Sequence, residues 1–227
     1  MDNCLIRYDD VTIKYGHYEA VKNISFTVNK YDFLNIIGPN GAGKTTLIKS
    51  LINQIKPSSG KVFRQTNLVG YVPQKQFIKR NFPLTVLEFI YTGVNDQKFI
   101  ISNLIKKEIL EWVLLMGLDA SIMDEKINKL SGGELQRVYF IRGIISKPEL
   151  LILDEPASAL DPSFREQFYD ILKQIKAKEQ MTIIHITHDL TDVVLKNSLV
   201  LHIDQEMKFF GTYLDYKSFE HEGHNHG

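Results

Sequence analysis

Residues 33–52 read FLNIIGPNGAGKTTLIKSLI. An apolar run is followed by a glycine-rich segment and then by apolar residues at helical spacing, which predicts strand, loop and helix. Residues 38–45 fit the pattern G-x-x-x-x-G-K-[ST], a phosphate-binding loop (P-loop). Its glycines let the backbone wrap closely around a polyphosphate, and the N–H groups at the helix start attract the anion. Lys44 and Thr45 are then expected to contact the phosphates and Mg²⁺.

A second apolar run ends in two acidic residues. Residues 150–156 read LLILDEP, and four consecutive aliphatic residues predict a strand buried on both faces of a parallel sheet. Asp154 and Glu155 follow at the carboxyl end of this strand, the edge at which α/β sheets bind ligands. We expect Asp154 to hold Mg²⁺, mainly through water, and Glu155 to polarise a water that attacks the γ-phosphate.

Between these two motifs, residues 130–138 read LSGGELQRV. Ser131 and Glu134 fit a capping box, which predicts the start of a helix. Gly132 and Gly133 would weaken that helix, since a glycine in a helix interior costs about 1 kcal/mol relative to alanine. They are better explained if a ligand approaches the backbone closely. The segment therefore predicts a second phosphate site at a helix N-terminus.

The segments GPNGAGKTT, LSGGELQR and LLILDEPASALD, in this order, resemble the ATPase subunit of ATP-binding cassette (ABC) transporters. The resemblance rests on several independent motifs and covers nearly the whole chain. It implies an α/β fold of the P-loop NTPase class: an ABC-type ATPase core with an antiparallel β subdomain and a helical subdomain. It also implies a head-to-tail dimer, in which LSGGE of one subunit covers the γ-phosphate held by the P-loop of the other.

The resemblance assigns residues to ATP, to Mg²⁺ and to catalysis. The catalytic positions are Lys44, Gln74, Glu155 and His188. The Mg²⁺ positions are Thr45, Gln74 and Asp154. The ATP-binding positions are Tyr15, Gly38, Asn40, Gly41, Gly43, Lys44, Thr45 and Thr46, with Ser131, Gly132 and Gly133 acting in trans.

Some of these assignments depend on a single residue. Tyr15 matches the aromatic residue that stacks on adenine, although Tyr18 is close enough to take that role. Gln74, in GYVPQK, matches the glutamine that reaches Mg²⁺ and the attacking water and senses the membrane partner. His188 ends TIIHITH and resembles the switch histidine that touches the γ-phosphate. His185 lies inside the same strand, and we expect it to be a core residue.

The chain departs from the family pattern at two places. Glu134 stands where many relatives have glutamine, and in the helix that follows, Phe140 and Gly143 stand where alanines are usual. We expect Gly143 to loosen its helix slightly. Neither departure removes a group that contacts phosphate, so ATP hydrolysis is still expected.

The chain is expected to form one ABC ATPase domain over residues 1–220. Alternating apolar positions in residues 4–32 predict antiparallel strands, and LVLHI with MKFFG predicts a closing hairpin. Residues 78–147, approximately, are expected to form the helical subdomain. One of its helices should bury Leu104, Ile105, Ile109, Val113 and Met116.

The composition excludes several classes of protein. Lys and Arg balance Asp and Glu at 27 each, so no general attraction to nucleic acid is expected. The single cysteine rules out an internal disulfide and suits a reducing cytosol. No apolar run approaches the roughly 20 residues of a membrane span, and the N-terminus does not fit a signal peptide. If the chain acts at a membrane, it is therefore expected to do so peripherally, and the resemblance to ABC ATPases implies the cytoplasmic face.

Two further segments bear on the transported substrate. GYVPQK and NFPLTVLEFIYTG resemble the group of ABC ATPases that serves zinc, manganese and iron uptake. This implies an importer ATPase, with an integral membrane permease, a second ATPase subunit and an extracytoplasmic metal-binding protein as partners. Zinc is the first expectation and manganese the second. The alternatives are an iron or siderophore/haem importer, or a soluble ABC ATPase such as an iron–sulfur assembly factor.

The C-terminal segment, residues 221–227, reads HEGHNHG and is expected to be a flexible tail. It contains His221, His224 and His226, whose imidazoles are mostly neutral at pH 7 and can bind zinc. A solvated tail without a ligand is the alternative interpretation. Because manganese prefers oxygen ligands, the histidines favour zinc as the metal that this protein handles.

Overall fold

The computed structural model describes residues 3–74, 82–95, 97–178, 180–188 and 197–224, with no side-chain description for 222–224. Strands and helices alternate after two long N-terminal strands. In chain order they are β1 (Cys4–Tyr15), β2 (Tyr18–Asn29), β3 (Phe33–Ile37), α1 (Lys44–Leu51), β4 (Ser59–Arg64), β5 (Val69–Val72), α2 (Val86–Tyr91), α3 (Asn103–Leu115), α4 (Gly132–Ile144), β6 (Leu150–Asp154), α5 (Pro162–Lys178), β7 (Thr182–Ile186), β8 (Leu199–Asp204), β9 (Glu206–Thr212) and α6 (Tyr213–His224).

The chain divides into two compact units, residues 1–67 with 175–227, and residues 68–174. In the first unit β2, β1 and β4 form an antiparallel sheet, while β3 pairs in parallel with β7 and β8. In the second unit β5 pairs in parallel with β6, and helices α2, α3 and α4 lie between these two strands in the chain. These parallel and antiparallel sheets with helices confirm the predicted α/β class. The helical segment predicted at about 78–147 falls inside the second unit.

Three of the parallel strands are buried along their whole length. Every residue of β3, β6 and β7 is buried, as continuous apolar runs predict for parallel strands. By contrast, β1 and β2 mix buried and exposed positions. His185 in β7 is fully buried, and its Nδ1 lies 3.1 Å from Asn35 Oδ1, so it is a core residue as expected.

Helix α1 is anchored to the antiparallel sheet by Tyr8. The buried Tyr8 hydroxyl donates to Leu47 O at 2.9 Å and lies 3.1 Å from Ser50 Oγ. The Tyr8 ring stacks on Phe26, with 4.6 Å between centroids. Burial raises the pKa of Tyr8 above its ordinary value, so the hydroxyl keeps its proton as a donor. The sheet therefore holds the helix that follows the P-loop.

The second unit packs closely through glycines. A Cβ on Gly70 would lie 2.0 Å from Gly143 O, and a Cβ on Gly93 would lie 2.1 Å from Arg142 O. A Cβ on Gly143 itself would meet Val72 Cγ2 at 3.0 Å. Gly143 was expected only to loosen its helix. Its small size instead lets α4 approach β5 more closely than alanine would allow.

The prediction of the buried apolar face of α3 is only partly correct. Ile109, Val113 and Met116 of the α3 segment are buried, but Leu104 is 82% exposed. Helix α3 begins at Asn103, so Leu104 lies in the first turn. Burial starts at Ile105, which is partly buried, and the first turn extends beyond the packed part of the helix.

The closing hairpin is confirmed, because β8 and β9 are antiparallel neighbours. Helix α6 follows, and its Tyr216 is buried in a cluster with Ile37 and Val200. Helix α6 continues to His224, so the first part of the segment predicted to be a flexible tail is helical. His226 lies outside the described residues.

Candidate functional site

The P-loop connects β3 to α1 through backbone conformations that favour glycine. Gly38, Gly41 and Gly43 have φ of 148°, 84° and 95°. A Cβ on Gly43 would lie 2.3 Å from Ala20 O, and one on Gly38 would lie 2.0 Å from Ile203 O. Asn40 and Gly41 are exposed on the loop. The loop conformation therefore requires glycine for two reasons: the φ angles are positive, and neighbouring backbone atoms leave no space for a Cβ on Gly38 or Gly43.

Lys44 is the first residue of α1 and is 6% exposed. Its Nζ donates to Gly38 O at 2.6 Å and to Pro39 O at 2.9 Å. The ammonium group thus lies inside the curve of the P-loop, the place at which phosphate oxygens could accept its hydrogen bonds. Thr45 and Thr46 follow in the first helical turn and are partly buried.

The turn of the closing hairpin is hydrogen-bonded to the P-loop. Gln205 N donates to Ala42 O at 3.0 Å, and Gln205 O accepts from Lys22 N at 2.8 Å. Gln205 has φ 58°, a left-handed conformation that suits a tight hairpin turn. Sequence analysis did not identify Gln205, and the only signal for it was its place between two predicted hairpin strands.

Tyr15 and Tyr18 face each other across the β1–β2 turn. They are cross-strand partners, 50% and 52% exposed respectively. The Tyr18 hydroxyl accepts a hydrogen bond from Gln205 Nε2 at 3.3 Å. Both rings are accessible to a flat ligand, so the choice between them stays open.

His188 follows β7 in the first unit. Thr187 N donates to Ile36 O at 3.1 Å, which ties the end of β7 to β3 just before the P-loop. His188 itself is exposed. An exposed imidazole at this strand end can reach a ligand, as the predicted role requires.

In the second unit, β6 ends at Asp154, which is 2% exposed. The Tyr71 hydroxyl lies 3.4 Å from Asp154 Oδ2 and is oriented to donate to it. Burial and the neighbouring carboxylate raise the pKa of Tyr71, so the hydroxyl stays protonated. Tyr71 was not among the predicted site residues, although it lies in the quoted GYVPQK segment.

Glu155 and Gln74 are brought together. Gln74 Nε2 donates to Glu155 Oε2 at 2.7 Å, although the two residues are 81 positions apart in the sequence. Glu155 has φ 48°, in the left-handed region that glutamate seldom adopts. Two of the predicted catalytic side chains are therefore in direct contact, and Glu155 has an unusual backbone conformation.

The LSGGE segment starts α4 with the predicted capping box. Ser131 N donates to Glu134 Oε2 at 2.9 Å, and Glu134 N donates to Ser131 Oγ at 3.4 Å. Hydrogen bonds from the Ser131 backbone and then from its hydroxyl lower the pKa of Glu134. Gly132 is exposed, and a Cβ there would meet no described atom within 4 Å. The terminus is thus open to a ligand but carries a carboxylate.

The C-terminal histidines are only partly described. His221 is exposed on α6, and position 224 follows one helical turn later. Within the described ranges, no group of three or more His, Cys, Asp or Glu side chains is gathered to hold a metal ion. The same ranges contain no helix whose length and hydropathy would let it cross a membrane.

A family model for the ABC transporter matches residues 21–158. The zinc import ATP-binding protein ZnuC of Rickettsia bellii is 34% identical over 213 residues, covering 93% of this chain and 88% of that protein. The zinc uptake system ATP-binding protein ZurA of Listeria innocua is 32% identical, with 96% and 89% covered. Among solved structures, a dimeric bacterial ABC transporter cassette has a TM-score of 0.80 and 25% identity, over 92% of this chain and 98% of that one.

Proposed function

Because the chain belongs to the ABC transporter family as an ATP-hydrolysing subunit, we propose that it energises import of a divalent metal ion, with zinc as the substrate. One observation carries the choice of zinc. The ZnuC and ZurA proteins, both described by name as zinc uptake ATPases, are 34% and 32% identical over more than nine-tenths of this chain. The histidines of the C-terminal segment agree with this choice, since imidazole is a good zinc ligand.

ATP is proposed to bind with its phosphates in the P-loop. Lys44 would exchange its contacts with Gly38 O and Pro39 O for phosphate oxygens, because its Nζ already lies inside the loop. The positions proposed to line the nucleotide are Gly38, Asn40, Gly41, Gly43, Lys44, Thr45 and Thr46, with Tyr15 or Tyr18 against adenine.

The predicted residues include oxygen donors of the kind that Mg²⁺ prefers. Asp154, whose buried Oδ2 accepts from the Tyr71 hydroxyl, would hold the ion, and Thr45 and Gln74 would supply further oxygens. When bound, the ion would neutralise charge on the β- and γ-phosphates. Glu155 is proposed to accept the proton of the attacking water, with Gln74 aligning that water. His188 is proposed to donate to the γ-phosphate.

Three partners are proposed: a second copy of this chain, an integral membrane permease and an extracytoplasmic metal-binding protein. We propose that Ser131, Gly132 and Gly133 bind the γ-phosphate held by a second copy in a head-to-tail dimer. A solved cassette that the chain resembles is also dimeric. An integral membrane permease would carry the metal, with an extracytoplasmic metal-binding protein delivering it. The ATPase would then act at the cytoplasmic face of the membrane, coupled to the permease through Gln74.

The test measures total cellular zinc, manganese, iron and nickel during growth in metal-poor medium. Cells with the native protein are compared with cells that carry Glu155→Gln at equal protein level. A selective fall in zinc is the expected result. A fall confined to manganese or iron would keep the importer and replace its substrate. Unchanged metal content would contradict metal import, while leaving the ATPase in place.

We also propose that His221, His224 and His226 bind cytosolic zinc and damp transport when zinc is plentiful. Positions 221 and 224 are one helical turn apart, a spacing at which two histidines can share a metal ion. The same helix packs through Tyr216 against Ile37, the residue directly before the P-loop. Deletion of residues 221–227 should remove any inhibition of ATPase activity by zinc. An unchanged response to zinc would contradict this role.

A further inference from the structure

The backbone of Glu155 is held in an unusual conformation. Its φ of 48° lies in the left-handed region, where the Cβ of an L-residue is crowded and glycine is normally preferred. Such a conformation persists only where surrounding groups maintain it. Since φ sets the direction of the Cα–Cβ bond, this conformation also sets where the Glu155 carboxylate can point.

Two groups of Ser158 hold this conformation. The Ser158 hydroxyl donates to Glu155 O at 2.9 Å, and Ser158 N donates to the same oxygen at 3.2 Å. These bonds close a tight turn over residues 155–158 directly after β6. The backbone N–H would remain after a side-chain substitution, but the hydroxyl bond would not.

At its other end, the Glu155 side chain is held by Gln74, whose Nε2 donates to Oε2 at 2.7 Å. Glu155 is therefore fixed at the carbonyl by Ser158 and at the carboxylate by Gln74. Binding of ATP and Mg²⁺ would engage Gln74, as proposed above, and would leave the two Ser158 hydrogen bonds to the Glu155 carbonyl intact. A general base must be aligned with its water, so this support bears directly on the rate.

We propose that Ser158 is a positioning residue for ATP hydrolysis, because its hydroxyl maintains the left-handed backbone of Glu155 and thereby aims the catalytic carboxylate. The inference rests on the proposed role of Glu155. It does not depend on which metal is transported. Ser158 begins residues 158–161, SALD, which resemble the loop by which ABC ATPase subunits contact each other, so a direct role at the dimer interface is the competing explanation.

The experiment compares Ser158→Ala with Ser158→Thr in the full-length chain, alone and in complex with its permease. Ser158→Ala should lower kcat about three- to tenfold, the loss expected for one hydrogen bond that orients a catalytic group, with the KM for ATP unchanged. Ser158→Thr keeps the hydroxyl, and the side chain is exposed enough for an added methyl group. It should therefore restore most of the rate.

A second comparison separates positioning from dimer contact. In a Glu155→Gln background, Ser158→Ala should cause no further loss of the residual rate, because the carboxylate that it orients is already absent. ATP-driven dimerisation of the Glu155→Gln protein, followed by light scattering, should also be unaffected by Ser158→Ala. Weaker dimerisation, a raised KM or an unchanged kcat would each overturn the proposal. If Glu155→Gln itself kept the native rate, the role of Glu155 would fail instead.

Discussion

Helices α1 and α4 both begin at a glycine-rich turn, but their first turns carry side chains of opposite charge. Gly43 precedes α1 in a left-handed conformation, and the buried Lys44 supplies positive charge. Ser131 precedes α4, and Glu134 closes a capping box with negative charge. The first terminus is therefore prepared for an anion, whereas the second already carries the chain's own carboxylate.

This difference suggests how the two termini divide the work. The P-loop can bind ATP within one chain, because its conformation and charge are set before the nucleotide arrives. If the proposed trans role is correct, the terminus of α4 would have to rearrange part of its capping when a phosphate from a second copy approaches. A low affinity for the second phosphate would keep dimer closure reversible, which an ATP-driven cycle requires.

Removing the positive charge at α1 should have the largest effect. Lys44→Met should reduce ATP affinity by about 100-fold or more, since each charge-assisted hydrogen bond contributes about 1.5–3 kcal/mol. Calorimetric titration with ATP measures this loss, and Lys49→Met at the far end of the same helix is the control. ATP binding by Lys44→Met at near-native affinity would contradict the contrast between the termini.

Adding a methyl group should distinguish the two glycine-rich turns. Gly43→Ala places Cβ 2.3 Å from Ala20 O at φ 95°, and should destabilise the protein by about 2–4 kcal/mol. The melting temperature should fall by roughly 5–10 °C. Gly132→Ala is the matched control, because its Cβ would meet no described atom within 4 Å. An equal loss of stability in both variants would remove this distinction.

Loss of the cap at α4 should have a smaller effect. Ser131→Ala removes the hydroxyl that accepts from Glu134 N, and should cost about 1 kcal/mol of stability. Thermal unfolding should show a decrease of about 2–4 °C. Ser131→Thr retains a capping oxygen and should stay close to the native melting temperature. A stable Ser131→Ala protein would mean that Glu134 alone maintains the terminus.

Neutralising the carboxylate should change nucleotide affinity only slightly. Glu134→Gln can keep an acceptor for Ser131 N while removing a negative charge beside the proposed phosphate site. The KM for ATP in the assembled complex should fall about two- to threefold, since exposed charges act weakly. Glu88→Gln is the control, because Glu88 forms the same capping box with Thr85 at α2. A raised KM in Glu134→Gln would contradict the expectation that the Glu134 carboxylate repels the phosphate.

The pH dependence of the two capping boxes gives the smallest effect. Hydrogen bonds from Ser131 and Thr85 lower the pKa of Glu134 and Glu88 respectively. A lowered folded-state pKa contributes stability above the ordinary glutamate pKa of about 4.3, and this contribution is lost as the pH falls through the folded value. Unfolding measured between pH 7 and pH 3 should show a weaker acid dependence in Glu134→Gln than in the native protein.

The sequence predicted those features that depend on residue type within a short segment. The capping box at Ser131, the buried strand before Asp154 and the P-loop glycines were all predicted and found. Features that depend on contacts between distant segments were missed. Gln205 supports the P-loop through its backbone, which any residue type could supply. The left-handed backbone of Glu155 was missed for a different reason, because a glutamate side chain gives no signal for that conformation.

Three predictions for the helices were wrong because they were made from local sequence alone. Leu104 fits the apolar period of α3, but periodicity does not say where a neighbouring element stops covering a helix. Gly143 looked like a weak point in α4 because glycine is a poor helix former. Its packing role was missed because the Val72 side chain that it faces comes from β5, far away in the sequence. The helical start of the C-terminal segment was missed because the residues were judged by composition alone.

The close packing of Gly70 and Gly93 on α4 also has an evolutionary consequence. Each faces a backbone carbonyl, of Gly143 and Arg142 respectively, and a backbone atom cannot be trimmed by a compensating substitution. No second-site change of side chain could therefore rescue an alanine at either position. Relatives that share this helix placement should retain glycine at both positions even where the surrounding core has diverged, and a deep mutational scan should find both intolerant of every other residue.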